Sequence, residues 1–283
     1  MASFDDPSFP FTIPSVVDIV PEEEQETSTT VPPPPAQRSQ PLPESKAALM
    51  SALQLTPLEA ASVSNIPQGT SAWLDVRKFR LTASNFGAAI GHNKYKSPRG
   101  LLRDMLWNKF KGNAATRWGT MHETTARDMY IAAMQRGVRN GESPYTSVRV
   151  EEKGLQIHPK LPWLGSSPDG VVHVSTPGGH THQFLLEIKC PFKKSFYSPT
   201  VPSYYNCQIQ GMMAIMGLPY CDFVVWVPGR MQVTRVQFDA HFWETTLLPG
   251  LTNFYFNLYV PALLAKAKGL LPCGEVEVPL LLT

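Results

Sequence analysis

The chain has 283 residues and a formal net charge of +2, and its 43% of apolar residues suffices for one large domain or two small ones. It shows no signal-peptide pattern and no apolar run of membrane-spanning length, so we expect a soluble, intracellular protein without membrane contact, nuclear if the source is eukaryotic. Its four cysteines form no CxxC pair, which argues against a zinc site or an iron–sulfur cluster and predicts reduced thiols.

The first 47 residues differ in composition from the rest of the chain. They contain a proline run from Pro32 to Pro35 and an acidic patch from Glu22 to Glu26, so we predict a disordered head over residues 1–47. Two basic residues against eight acidic ones give this head a net charge of −6, which leaves about +8 on the remainder. That charge fits a polyphosphate-binding surface and, equally well, an ordinary basic surface. Residues 48–69 are predicted as a short helix and linker, and residues 70–283 as one folded domain.

Helical patterns dominate the first half of this domain. Apolar spacing predicts helices over residues 71–79 and 116–136, and Pro98 begins another helix between them. The segment 82–85 offers several N-cap residues, so a further helix is expected to begin at Phe86.

Shorter periodicities predict strands in the second half. The predicted strands cover residues 147–150, 155–157, 170–174, 184–188, 223–227 and 232–236. A turn at 177–179 joins two of them, and a helix over 204–216 crosses between strands. A terminal helix over 242–264 is expected to be broken or kinked at Pro249 and Pro261. This order of elements predicts an α/β sandwich with a mixed central β-sheet flanked by helices.

Two carboxylates and a lysine occupy the two strands that the turn at 177–179 joins. Glu187 and Lys189 share one face of their strand because successive side chains alternate, and Ile188 points into the opposite layer. If the strands pair, Asp169 joins the first face. Carboxylate oxygens bind Mg²⁺, and an ammonium can steer or activate the attacking water, so the set suits phosphodiester cleavage. It resembles the PD-(D/E)xK nuclease core, which implies a restriction-endonuclease-like fold.

Simpler explanations exist for the same residues. Pro168-Asp169-Gly170 is by itself a common turn, and Glu187 could be a salt-bridge partner of Lys189 or lie on an exposed edge strand. However, Glu187 interrupts an apolar run, where an unpaired buried charge costs several kcal/mol. A metal ion would offset that cost.

Glu123 supplies a third carboxylate, near the start of the helix predicted over 116–136. His122-Glu123 suggests the metalloprotease motif HExxH, but Ala126 occupies the position of the second histidine, which excludes that motif. Glu123 could also be a solvated acid that the helix dipole favours. Three other histidines flank a glycine turn and are interpreted as loop residues, not ligands: His173, His180 and His182.

Six segments occur in the order and approximate spacing of the phage lambda exonuclease and YqaJ viral recombinase family. They are WLDVR at 73–77, TAS at 82–84, WG at 118–119 with Glu123, SPDG at 167–170, EIKCPF at 187–192 and QIQ at 208–210. The resemblance covers about residues 70–265, and the acidic head has no counterpart in it.

The resemblance implies roles for individual residues. Asp169 and Glu187, with the carbonyl of Ile188, would ligate Mg²⁺ or Mn²⁺, and Glu123 would hold a second ion or its water. Lys189 would position or deprotonate the attacking water. Positions that match the family's site for a terminal 5′-phosphate are Arg77, Ser84, Ser167 and Gln208. Guanidinium, hydroxyl and amide donors suit a phosphate, although Arg77 alone could form a surface salt bridge and Gln208 could be a buried amide.

We therefore expect a metal-dependent deoxyribonuclease that degrades one strand of duplex DNA from the 5′ end, leaving a 3′ single strand for recombination or repair. The family resemblance also implies a homotrimer and a possible single-strand annealing partner. Alternatives are an endonuclease or RNA-cleaving nuclease of the same fold, or a catalytically inactive DNA-binding relic of a virus or mobile element. The presence of all four catalytic residues argues against the relic. An interaction protein recruited through the head is compatible with catalysis.

Overall fold

The structure, a computed structural model, describes residues 17–18, 41–108, 112–192 and 200–277. Most of the head that was predicted to be disordered lies outside these residues. Its described parts are the backbone of strand β1 (Val17–Asp18), which pairs with the edge of the main sheet, and residues 41–47, the last two of which already belong to a helix.

Two helices occupy the segment predicted as a short helix and linker. Helix α1 (Lys46–Leu53) begins within two residues of the predicted end of the head. Helix α2 (Pro57–Ser64) was not predicted, although Thr56 and Glu59 form a capping box at its start. Both helices bury leucine or valine side chains, so this segment belongs to the folded domain.

The predicted helices of the first half are present with shifted ends. They are α3 (Ser71–Val76), α4 (Phe86–Ala89), α5 (Pro98–Trp107) and α6 (Ala114–Arg139). Helix α3 ends at Val76, before the predicted end at residue 79, because the backbone of Phe79 is left-handed with φ of 63°. A 3₁₀ turn (Ala83–Asn85) precedes α4, and no side chain of the segment 82–85 caps either element, so the N-cap expected in this segment is not formed.

A six-stranded mixed sheet forms the centre of the domain. Its remaining strands are β3 (Ser147–Glu151), β6 (Gly170–Ser175), β7 (Thr181–Lys189), β8 (Tyr220–Val227) and β9 (Arg230–Gln237), in the order β1-β9-β8-β7-β6-β3. Strands β7 and β8 are parallel and are joined by helix α7 (Ser203–Met216), as expected, while the other pairs are antiparallel.

A second sheet of three short strands packs beside the first. It contains β2 (Leu81–Thr82), β4 (Gln156–Ile157) and β5 (Leu164–Ser166) in the order β2-β5-β4. Only β4 was predicted, because two or three residues carry too little periodicity to identify a strand.

The two faces of the main sheet bury different residues of strand β7. Leu186 and Ile188 pack with residues of α6, whereas Leu185 packs with residues of α7 and the C-terminal helix. This confirms the predicted α/β sandwich and places Glu187 and Lys189 on the face of Leu185.

The C-terminal helix continues through both prolines, where a break or kink was expected. Segments α8 (Ala240–Phe242), α9 (Leu248–Asn253) and α10 (Val260–Ala267) alternate with π-helical segments at Trp243–Leu247 and Phe254–Tyr259. Pro249 and Pro261 lie in the first turn after each π segment, where the changed hydrogen-bond pattern tolerates a missing N–H. None of the helices in the described ranges combines the length and apolarity required to cross a membrane.

A buried polar network joins helix α6 to strands β8 and β9. Asp222 is fully buried, and its Oδ2 accepts a hydrogen bond from the Tyr130 hydroxyl at 2.6 Å. Arg235 donates to both oxygens of Asp222 at 2.8 and 3.0 Å. Because an unpaired buried carboxylate is costly, this network fixes the position of α6 on the sheet.

We predict that Tyr130→Phe lowers the free energy of unfolding by about 1–3 kcal/mol, because it removes a hydrogen bond to a buried charge. Chemical denaturation measures this difference. Tyr95→Phe is the matched control, since Tyr95 is 74% exposed. Equal stability of the two variants would show that the network does not hold α6.

Candidate active site

The pairing of β6 with β7 brings Asp169 beside Glu187. Gly170 lies opposite Leu186 in the register, so the preceding Asp169 falls next to Glu187 on the same face. Asp169 Oδ2 also accepts a hydrogen bond from the backbone N–H of Ile188 at 2.6 Å. The sequence prediction that these strands pair and unite the two carboxylates is confirmed.

The Glu187 carboxylate is almost completely buried, with 1% of the residue exposed. Its Oε1 accepts hydrogen bonds from Lys189 Nζ and, at 2.5 Å, from Gln208 Nε2. Its Oε2 is buried and has no hydrogen-bond partner within the described ranges. Such an orphaned oxygen is expensive to bury, and a bound cation would satisfy it.

Helix α6 places Glu123 at the same site. Glu123 Oε1 accepts a hydrogen bond from Arg127 at 2.8 Å, one helical turn later, and Arg127 also pairs with Glu152. Sequence reasoning missed Arg127, although its i, i+4 spacing from Glu123 is a recognisable signal for an ion pair. The buried arginine thus holds the third carboxylate while α6 is anchored to the sheet.

Burial and mutual repulsion raise the pKa values of these carboxyl groups. Burial, followed by the charge of Asp169, raises the pKa of Glu187 to about 8 and that of Glu123 to about 7. Burial also raises the Asp169 pKa, although Lys189 and the Ile188 N–H oppose the shift. For Lys189, burial would lower the pKa, but Glu187 and Asp169 together raise it above its ordinary value. Lys189 therefore carries a proton at neutral pH.

The donor set fits a hard divalent cation such as Mg²⁺ or Mn²⁺. Three carboxylates face the half-buried Lys189 and the buried Arg127, and one carboxylate oxygen has no hydrogen-bond partner among the described residues. In this conformation, no three or more acidic, histidine or cysteine side chains of the described segments converge as a complete ligand set. Backbone carbonyl and water ligands, which Mg²⁺ commonly uses, would complete the coordination.

Arg77 and Ser167 form a second polar cluster. Ser167 lies two residues before Asp169 in the sequence. The Arg77 guanidinium stacks 3.9 Å from the Trp73 ring and approaches Ser167 Oγ at 3.5 Å and Thr82 Oγ1 at 3.2 Å. Trp73 also donates its indole N–H to Ser167 Oγ at 3.0 Å. Burial lowers the pKa of Arg77 to about 10. In the described part of the chain, the hydrogen-bond partners of Arg77 are hydroxyls, not carboxylates, so this cation is available to an anion.

The other two residues assigned to phosphate binding are placed differently. Ser84 is exposed on the 3₁₀ turn that follows Thr82. Gln208 is buried and donates a hydrogen bond to Glu187. It therefore belongs to the carboxylate site and not to the Arg77 cluster. Trp73 and Thr82 complete the Arg77 cluster. Both residues belong to family segments recognised in the sequence, but neither was assigned to phosphate binding, although Trp73 and Arg77 are spaced to meet on one helical face.

A cleft of about 730 Å³ opens onto the carboxylates. Glu123, Asp169 and Lys189 line it together with the start of α6 and residues after β7. A smaller cavity of about 280 Å³ adjoins Arg77 and Thr82. The described part of the chain therefore has an acidic cleft and a separate cavity with a basic lining.

The raised carboxyl pKa values predict that the metal-free protein loses stability as pH rises. Between the ordinary value of 4.5 and the folded values of about 7 and 8, the folded state binds more protons than the unfolded chain. The thermal midpoint in EDTA should therefore fall as pH rises from about 6 to 9. Mg²⁺ should flatten this dependence because it replaces the protons.

Thermal scans of two variants test the assignment. Glu187→Gln should reduce the pH dependence, whereas Glu142→Gln at an exposed position should preserve it. Identical pH slopes for Glu187→Gln and the wild type would contradict the shifted pKa.

Comparisons with known proteins place this geometry in a family. A model of the YqaJ-like viral recombinase domain matches residues 72–219, which contain all three carboxylates and Lys189. Protein D345L of African swine fever virus (strain Badajoz 1971 Vero-adapted) is 30% identical over 197 residues, covering 60% of this chain and 51% of that protein. The chain thus spans about half the length of this curated relative.

Solved structures show the same fold. The alkaline exonuclease LHK-Exo from Laribacter hongkongensis aligns with a TM-score of 0.54 and 25% identity. The structure of LHK-Exo in complex with dAMP aligns with a TM-score of 0.52 and 26% identity. Each alignment covers 71% of this chain and 96% of the other. The chain therefore has the PD-(D/E)xK fold and belongs to the YqaJ-like viral recombinase family.

Proposed function

We propose that the protein is a divalent-metal-dependent exonuclease that degrades one strand of duplex DNA from its 5′ end and leaves a 3′ single strand. The buried Glu187 carboxylate carries this proposal, because it lies beside Asp169 and Lys189 and one of its oxygens has no hydrogen-bond partner in the described part of the chain. The description of LHK-Exo as an alkaline exonuclease, and its complex with the deoxynucleotide dAMP, support an exonuclease that acts on DNA.

The carboxylates would bind one or two Mg²⁺ or Mn²⁺ ions. Asp169, Glu187 and the backbone carbonyl of Ile188 would hold the first ion, and Glu123 the second ion or its water. When bound, such an ion offsets the negative charge that develops on the scissile phosphate and lowers the pKa of water. Gln208 and Arg127 hold two of the carboxylates in position.

Lys189 would position or deprotonate the attacking water. Its ammonium contacts Glu187 and lines the cleft beside Asp169 and Glu123. The charges of Glu187 and Asp169 raise its pKa, and a cation bound to the same carboxylates would offset those charges.

Arg77 and Ser167 would bind the terminal 5′-phosphate of the degraded strand. A half-buried guanidinium whose described hydrogen-bond partners are hydroxyls is suited to a charge-assisted contact with phosphate. Ser167 lies two residues before Asp169, which would set the phosphate close to the metal ligands. The homotrimer, the annealing partner and the intracellular location stay predictions from the family resemblance and the composition.

We predict that Asp169→Asn and Glu187→Gln each abolish cleavage while DNA binding persists. The reason is that metal binding needs these oxygens, whereas most DNA affinity comes from basic groups on the phosphates. Digestion of end-labelled duplex DNA with Mg²⁺ and filter binding with Ca²⁺ measure the two properties. The exposed Asp128→Asn is the control. More than a few per cent of wild-type cleavage in either variant would disprove the two-carboxylate site.

We predict that wild-type protein prefers a 5′-phosphorylated end over a 5′-hydroxyl end by about ten- to a hundredfold in initial rate, the value of a charge-assisted contact that persists in the transition state. Arg77→Gln should erase this ratio. The ratio is internal to each protein preparation, so partial misfolding does not change it. Arg136→Gln, at an exposed position on α6, should keep the preference. Equal rates of the wild type on both ends would rule out the phosphate pocket but leave the nuclease assignment standing.

A further inference from the structure

The segment that joins α2 to α3 precedes residues 72–219, which the family model matches, and it packs against the connection between β3 and β4. In that connection, the N–H of Gly154 donates to the carbonyl of Ser64 at 2.7 Å, at the end of α2. A Cβ on Gly154 would lie only 2.2 Å from the carbonyl oxygen of Ile66. The two segments are therefore in direct backbone contact, which requires glycine at this position.

The side chain of Gln68 links this contact to the turn that carries Asp169. Its Nε2 donates to the carbonyl of Lys153 at 3.0 Å and to the carbonyl of Pro168 at 2.9 Å. An amide NH₂ group has two N–H bonds, so both are used on two separate backbone segments. Because the Gln68 side chain is exposed, these hydrogen bonds, and not burial, fix its position.

The first of the two segments supports Glu123. Lys153 follows Glu152, whose carboxylate pairs with Arg127. Arg127 Nη2 donates to Glu123 Oε1 at 2.8 Å. The position of the connection between β3 and β4 therefore influences, through one arginine, where the Glu123 carboxylate lies.

The second segment carries Asp169. Pro168 is buried and directly precedes Asp169, whose Oδ2 accepts the N–H of Ile188 at 2.6 Å. A carbonyl that loses its donor must turn toward water or another donor, because an unpaired buried carbonyl is costly. Such a turn of the Pro168 carbonyl would displace the adjoining Asp169 from the Ile188 N–H.

We propose that Gln68 is a positioning residue that fixes the separation of Glu123 and Asp169. This inference rests on the proposed nuclease function, in which these carboxylates bind divalent cations. Ligands of a catalytic site must be held to within about 0.5 Å of their productive positions by the groups behind them. Gln68 meets this need by joining the backbone beside Asp169 to the backbone beside the support of Glu123.

The test compares the Gln68→Met variant with the wild type, both as full-length proteins. Methionine has a similar length but no N–H donor. We expect the Mn²⁺ affinity, measured by calorimetry, to fall about two- to tenfold, the value of one hydrogen bond. The turnover number on linear duplex DNA should fall while KM for DNA stays unchanged. In EDTA, the Ile188 amide should exchange with deuterium faster in the variant, because Asp169 no longer holds it.

Two further variants separate positioning from general stabilisation. Gln68→Lys should restore wild-type Mn²⁺ affinity and turnover, because an ammonium can donate to the same two carbonyls. Ser64→Ala removes the hydrogen bond that Ser64 Oγ accepts from Gln156 Nε2 at 2.9 Å, in the same contact but away from Pro168. It should lower the thermal midpoint without changing Mn²⁺ affinity, turnover or Ile188 exchange.

Unchanged Mn²⁺ affinity and unchanged Ile188 exchange in Gln68→Met would overturn the inference. Equal losses in Gln68→Met and Ser64→Ala would also overturn it, because they would reduce Gln68 to a structural contact. If the wild type binds Mn²⁺ and cleaves DNA and Gln68→Met does so equally well, only this inference fails. If the wild type neither binds Mn²⁺ nor cleaves DNA, the proposed function fails too.

Discussion

The burial of the Glu187 carboxylate is the constraint on which the rest of the site depends. A strand in the middle of the sheet places Glu187 between hydrophobic layers, where its negative charge is costly. Lys189, Gln208 and the neighbouring Asp169 are arranged around that charge, but one oxygen still has no partner among the described residues. The folded site therefore carries negative charge that its own side chains do not fully compensate, and a divalent cation would neutralise it. In the absence of metal, a proton neutralises this charge instead, and the pKa values of the carboxyl groups are raised for that reason.

The helices on the two faces of the sheet contribute in different ways. Helix α6 crosses one face, and its successive turns carry Glu123 toward the cleft, Arg127 against two glutamates and Tyr130 against Asp222. A single rigid element thus holds a carboxylate over the strand ends and is itself tied to the sheet. Helix α7 covers the other face and brings Gln208 to Glu187. Because Phe86 packs against Gly211, where any Cβ would lie only 2.3 Å from the ring, α4 approaches α7 closely.

The site has a negatively charged end at the carboxylates and a positively charged end at Arg77. The carboxylates favour cations, while the half-buried guanidinium of Arg77 favours an anion. The short segment from Ser167 to Asp169 links the two groups, because Ser167 contacts Arg77. A strand end carries its terminal phosphate and its scissile phosphodiester a short distance apart. Such a ligand would satisfy both ends at once, which is why the geometry supports an exonuclease more strongly than an endonuclease acting within a chain.

The sequence by itself determined the sandwich, the paired strands with Asp169, Glu187 and Lys189, and the family, because alternation in strands and the spacing of the six segments are local properties. It did not reveal helix α2, the short strands β2 and β5, or the continuity of the C-terminal helix, because these depend on packing that short or proline-containing segments do not encode. The partners of Arg127, the position of Gln208 against Glu187 and the hydroxyl surroundings of Arg77 were decided only by the tertiary structure. Each of these joins side chains that are distant in sequence or compete for several partners, and burial selects which contact is made.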